Sequence, residues 1–158
     1  MASKTALVVS AHAADFVWRC AGAIALHTEK GYNVTVVCLS FGERGESAKL
    51  WKKGDVTLEQ VKTDRRGEAE AAAKALGVHD IQFFDQGDYP LVMDMDGKMR
   101  LVDVMRQVQP EFIMSHSQSD PYNTDHPYAT AVTMECRMIA QAWGHNPGEK
   151  VLGAPQMY

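Results

Sequence analysis

Two short apolar, β-branched runs dominate the first part of the chain, Thr5 to Ser10 and Asn33 to Ser40. Neither alternates apolar with polar residues, so each reads as a strand buried on both faces. Between them, Phe16 to Lys30 has helical character, and Gly31 is placed to end that helix. A strand, a helix and another fully buried strand make a βαβ unit, which commits the chain to a parallel sheet covered on both sides. The pattern continues to the end of the sequence. Thr57-Leu-Glu-Gln60 forms a capping box that opens a helix running to Gly77, and Asp80 to Phe84 is a third strand. Leu101 to Gln109 is helical and stops before Pro110, Glu111 to Ser115 is a fourth strand, and Pro127 to Trp143 is a helix with proline in its first turn. Phe41 to Val56 reads as a glycine- and charge-rich loop, and Val151 to Tyr158 as the start of one more element. The expectation is an α/β fold, a Rossmann-like, mostly parallel sheet flanked by helices, forming a single domain over residues 1–158.

In such sheets ligands bind beyond the carboxyl ends of the strands. Polar clusters follow all four strands: His12 and Asp15, then Glu43 to Ser47, then Asp85 and Asp88, then His116 to His126. Taken alone, His12 fits a hydrogen-bonded core histidine and Asp15 a helix N-cap. With His126 ahead of a late helix at the same sheet edge, the three become a candidate ligand set for a divalent metal. Three protein ligands leave a coordination position open, the pattern of a catalytic zinc, although iron or manganese also suits two nitrogens and a carboxylate. Asp120 or Asp125 is placed to hold the far nitrogen of a ligand imidazole.

The net charge of −4 argues against broad binding to nucleic acid or to an anionic membrane surface. Cys20, Cys38 and Cys136 are widely spaced and form no C-x-x-C pair, so reduced thiols in a cytoplasmic protein are expected. The opening Met-Ala-Ser-Lys lacks a signal-peptide pattern, and His12, Asp15 and Arg19 interrupt the apolar stretch from Leu7 to Leu26, so no membrane span is expected.

The strings LVVSAHAADF, GERGES, RRGEAEAAAKALGV and DHPYA resemble, in order, the motifs of the PIG-L/LmbE family of zinc-dependent deacetylases. That resemblance implies Zn2+ held by His12, Asp15 and His126. It also marks departures. Where the deacetylases carry a general-base Asp, this chain has Ala14; Phe16 stands in place of a Glu, and Asn123 in place of a His used against the developing oxyanion. The altered motif is similar to a hydratase branch of the family. What that implies is reversible addition of water to a C=C bond of an unsaturated tricarboxylic keto or enol acid, in the catabolism of aromatic acids such as gallate.

On this reading Glu46 is the proton-transfer group, with His116 and Asp120 as further catalytic candidates. Arg19 and Arg44 are expected to clamp substrate carboxylates, and Tyr122 and Asn123 to donate hydrogen bonds to substrate. Glu43 is expected to be structural, and Arg65 and Arg66 to partner family carboxylates such as Asp88. The family's usual C-terminal part, which adds strands, is missing from the sequence after Tyr158, so association with that segment or into a homo-oligomer is expected. The rival readings are a zinc-dependent N-acetyl-sugar deacetylase and a metal- or ligand-binding module without catalysis.

Overall fold

The computed structural model describes residues 4–158. Its elements run β1 (Thr5–Ser10), α1 (Asp15–Glu29), β2 (Asn33–Cys38), α2 (Ala48–Trp51), α3 (Leu58–Ala75), β3 (Asp80–Phe83), α4 (Met95–Val108), β4 (Phe112–Met114), α5 (Asp125–Gln141) and β5 (Gln156–Met157). The five strands form one sheet in the order β3-β2-β1-β4-β5, and every pairing is parallel. This is the parallel, helix-flanked sheet the sequence predicts.

The central strand shows why its run is apolar throughout. Ala6 and Val8 face one core with Phe16, Ile24, Ala69 and Ala73, from α1 and α3. Leu7 and Val9 face the other, with Leu101, Met105, Val132 and Cys136 from α4 and α5. Each fully buried Leu, Ile or Phe contributes roughly 1.5–3 kcal/mol relative to exposure. The alanines of α3 let that helix lie close to the sheet.

Helix ends follow their local chemistry. Gly31, at φ +80, accepts the left-handed turn after α1. The Thr57–Gln60 capping box opens α3 with both reciprocal hydrogen bonds present. Two boundaries differ from the sequence reading. Helix α4 starts at Met95, six residues before Leu101, because the Asp94 side chain accepts from the Gly97 N–H and caps it. Helix α5 starts at Asp125, so Pro127 is its third residue. The loop after β2 also contains the single turn α2. No described helix is long and apolar enough to cross a membrane, and the three cysteines are free thiols.

The chain moves outward from β1 to β2 and β3, then returns to lay β4 on the other side of β1. The loops after β1 and β4 therefore part company at adjacent strand ends, opening a crevice where an α/β sheet binds its ligands.

Candidate metal centre

The crevice gathers the residues that the sequence marks. His12, fully buried, lies in the turn after β1. Asp15 is the first residue of α1, and the N-cap position belongs to Ala14, which has no capping side chain. Asp15 is therefore not a plain N-cap. Its Oδ2 turns back to accept the His12 N–H at 2.8 Å and lies 3.1 Å from His12 Nδ1. On the far side of the ring, His12 Nε2 is 3.1 Å from Asp125 Oδ2. Asp125 is itself fixed by the N–H groups of Tyr89 (3.0 Å) and Leu91 (2.9 Å). An ionised carboxylate only accepts, so Nε2 carries a hydrogen to Asp125, which leaves Nδ1, beside Asp15, as the nitrogen whose lone pair a cation would take in place of a proton.

His126 repeats the device. Its Nδ1 is 2.8 Å from Asp120 Oδ2, which leaves Nε2 as the free lone pair. That buried nitrogen makes no hydrogen bond and lies 3.5 Å from Asp15 Oδ1. Glu46 completes the group, with Oε1 3.5 Å from His12 Nδ1. Ligand atoms of His12, Asp15, Glu46 and His126 all lie within 4.8 Å of one another. Two imidazole lone pairs and two carboxylates facing one point form a donor set that a divalent cation satisfies, and the orphaned Nε2 of His126 shows that the protein alone does not.

Without a cation, the carboxylates hold protons on both imidazoles, and a bound metal would displace them. Burial pulls His12 down, but the hydrogen bond and charge of Asp15, with Glu46 and Asp125, outweigh it and push it up to about 9. Asp15 is driven well below the carboxylate range: burial raises it, and His12 and His126 overcome that. His126 is raised against burial by Asp15 and Asp120.

His116 enters the site differently. Its ring stacks on His126 at 4.2 Å between centroids, and its Nε2 accepts the Ala11 N–H at 2.9 Å. Burial, reinforced by the neighbouring His126, His12 and Arg19, pushes it down to about 4 despite Asp15, so the ring stays neutral. Asp120, besides orienting His126, accepts from the N–H groups of Tyr122 and Asn123. Tyr122 itself is almost fully exposed at the rim.

The Asn123 amide is spent inside the site. Its Oδ1 accepts the Asp125 N–H at 3.0 Å, while Nδ2 donates to Glu46 Oε1 at 3.1 Å and to Tyr89 Oη at 3.0 Å. Arg19 is exposed, near enough for its charge to act on His116. Arg44 bonds through Nη1 to the Asp88 carbonyl at 2.9 Å.

Glu43 and Glu46 separate cleanly. Glu43 is fully buried, and its Oε2 accepts the Phe41 N–H at 3.2 Å. One corrected expectation concerns Asp88. Its carboxylate receives the N–H groups of Arg44 and Gly45, not a side chain from α3. Arg65 instead donates to the Phe41 carbonyl and pairs with Glu68, and Arg66 lies over the rings of Phe41 and Phe83. The residue that sequence reasoning missed altogether is Tyr89. Its only local mark was a position after Asp88 and before Pro90 in the loop following β3.

Beside the cluster, an open cavity of about 680 Å³ is lined by Ala14, Trp18, Glu46, Lys49, Lys53 and Arg65, among others. It reaches the donor set through Glu46.

Residues 7–137 match the PIG-L family, described as GlcNAc-PI de-N-acetylase. The chain belongs to the PIG-L family. Within it, the sequence is 63% identical over 155 residues to a 4-oxalmesaconate hydratase of Pseudomonas putida, covering 98% of this chain and 60% of that protein. The crystal structure of GalB, the 4-carboxy-2-hydroxymuconate hydratase of P. putida KT2440, superposes with a TM-score of 0.95 at 63% identity, covering 98% of this chain and 64% of the other. A second solved structure, N,N'-diacetylchitobiose deacetylase from Pyrococcus horikoshii, shares the fold at 22% identity, with a TM-score of 0.85 and coverage of 98% and 58%. The chain thus spans less than two thirds of the length of these relatives.

Proposed function

We propose that this PIG-L chain forms the metal-binding part of a hydratase that adds water reversibly across a C=C bond of an unsaturated tricarboxylic keto or enol acid, of the 4-oxalomesaconate or 4-carboxy-2-hydroxymuconate type. The observation that carries the reading is the place of Glu46. It is the carboxylate at the cluster that also opens onto the cavity, while position 14 is alanine. The identity to a hydratase along nearly the whole chain supports the same conclusion.

His12, Asp15 and His126 would hold the cation, with Asp125 and Asp120 orienting the two rings. Two nitrogens and a carboxylate favour zinc, which when bound supplies Lewis acidity toward water and a substrate oxygen. Glu46 takes a proton from the attacking water as the new C–O bond forms at one alkene carbon. The π electrons move toward the conjugated carbonyl, and the carboxylic acid of Glu46 returns a proton to the neighbouring carbon. Asn123 holds Glu46 Oε1 in place for both transfers. Lys49 and Lys53 in the cavity wall suit a substrate with several carboxylates, and on this reading Arg19 and Arg44 would add to them.

The test is loss of the conjugated chromophore of 4-carboxy-2-hydroxymuconate, with the hydrated acid identified as product. Zinc-loaded protein turns it over, chelator abolishes the activity and zinc restores it. Glu46→Gln retains metal and loses about 100-fold or more in kcat. Acetate release from an N-acetylated amino sugar, without hydration of the muconate, would overturn the proposal.

A further inference from the structure

The groups gathered around the cluster are mostly acceptors: Asp15, Glu46, Asp120 and Asp125. An anionic substrate needs donors there as well. We propose, building on the hydratase reading, that the hydroxyl of Tyr89 is a catalytic group of this site, donating a hydrogen bond to the substrate oxygen on which negative charge builds as water adds.

The argument starts at Asn123. Its Oδ1 accepts the Asp125 N–H, which fixes which end of the amide is the NH2 group. The two hydrogens of that group go to Glu46 Oε1 and to Tyr89 Oη. Tyr89 Oη is therefore an acceptor in this contact, and its own hydrogen remains to be given. One amide nitrogen holds the proton-transfer carboxylate and the phenol side by side.

Three further features converge on the same side chain. The Tyr89 N–H is bonded to Asp125 Oδ2, the atom that orients His12. Its backbone sits at φ +48, a left-handed conformation that a bulky residue rarely adopts. Its ring lies over Gly45, where any Cβ would come within 2.2 Å of the ring carbons. The His12 ring is 5.9 Å away, centroid to centroid. Yet Tyr89 is 48% exposed, so these constraints do not serve to bury an aromatic ring. They aim a hydroxyl. Burial, with the charges of Glu46 and Asp125, also raises the phenol above its ordinary range and keeps it a donor.

The experiment compares zinc-loaded wild type with Tyr89→Phe and with 3,5-difluorotyrosine placed at 89. Loss of one donor to a developing charge lowers kcat by about 100-fold, with KM changed by less than about threefold. Zinc content and melting temperature stay at wild-type values. Difluorotyrosine keeps the ring and the acceptor for Asn123 but changes hydroxyl acidity. It alters kcat if the hydroxyl reaches substrate and leaves it unchanged if the ring is only structural. Tyr89→Phe with kcat within about threefold of wild type, or difluorotyrosine with unaltered kcat, overturns the proposal while the hydratase reading stands. If wild type does not hydrate the muconate, the hydratase reading and the role proposed here for Tyr89 are overturned together.

Discussion

Asp125 does not belong to the proposed ligand set, yet Asp125→Asn is the substitution that most sharply tests how the metal centre is built. The wild-type carboxylate accepts from three donors: His12 Nε2–H and the Tyr89 N–H on Oδ2, and the Leu91 N–H on Oδ1. An asparagine has one acceptor oxygen and one NH2 group. If the oxygen faces His12 and Tyr89, the NH2 group meets the Leu91 N–H. If it faces Leu91, the NH2 group meets both the Tyr89 N–H and His12. Either orientation sets donor against donor in a site that is 3% exposed, costing about 1–3 kcal/mol for the unpaired N–H. The second orientation also forces the hydrogen of His12 onto Nδ1, the atom that faces Asp15. Replacing such an outer partner typically costs 10- to 100-fold in metal affinity, about 1.4–2.7 kcal/mol. The assay is zinc competition against a chromophoric chelator, with a thermal melt of the metal-free protein. A folded Asp125→Asn protein that binds zinc within about twofold of wild type would refute the claim that Asp125 sets the His12 tautomer.

Two other substitutions probe the loops around the centre. Burial, then the neighbouring Asp88 charge, hold the Glu43 carboxyl above its ordinary value. The folded protein therefore keeps a proton there that the unfolded chain releases, and stability falls as pH rises from the ordinary glutamate value through the raised one. Glu43→Gln, which replaces the unpartnered Oε1 by an amide, is expected to flatten that slope and add about 1 kcal/mol above the window, read from melts across pH. Gly45→Ala would set a Cβ 2.2 Å from the Tyr89 ring; a loss of about 1–3 kcal/mol in stability and at least about tenfold in kcat is expected, and unchanged values for both would show that the ring moves freely.

The parts of this site that were legible in the sequence are those set by a single element. His12 and Asp15 follow β1 within five residues, and His126 opens α5, so the parallel-sheet rule alone brings them to one edge. Glu46 could be preferred over Glu43 from the motif, and the structure separates them by burying the latter. The Asp125–Tyr89 link was not legible, because it joins residues 36 positions apart through a loop that no periodicity describes. Arg65 and Arg66 were assigned to Asp88 by motif, whereas the face of α3 they occupy turns them toward Phe41, Phe83 and Glu68. The start of α4 was hidden because Asp94, Asp96 and Gly97 read as loop until Asp94 is seen to cap the helix.

Two departures from the deacetylase motif become one once the structure is considered. Hydrolysing an amide requires a proton for a departing nitrogen and a donor for the tetrahedral oxyanion. Water addition to an alkene has no leaving group: one proton leaves water and one arrives at carbon, and a single carboxylate suffices for both. The cavity wall holds Ala14 and Glu46 together, so a carboxylate lost at position 14 is replaced across the same space by one from the loop after β2. That loop carboxylate is 26% exposed on its side chain and needs an anchor to keep its geometry. The anchor is Asn123, at the position where the resemblance places the oxyanion-directed histidine. A neutral imidazole has one N–H and could not donate to Glu46 and Tyr89 together, as the Asn123 amide does. On the hydratase reading, Ala14 and Asn123 are thus two halves of one change: the first removes the old base, and the second fixes the new one beside a phenol donor.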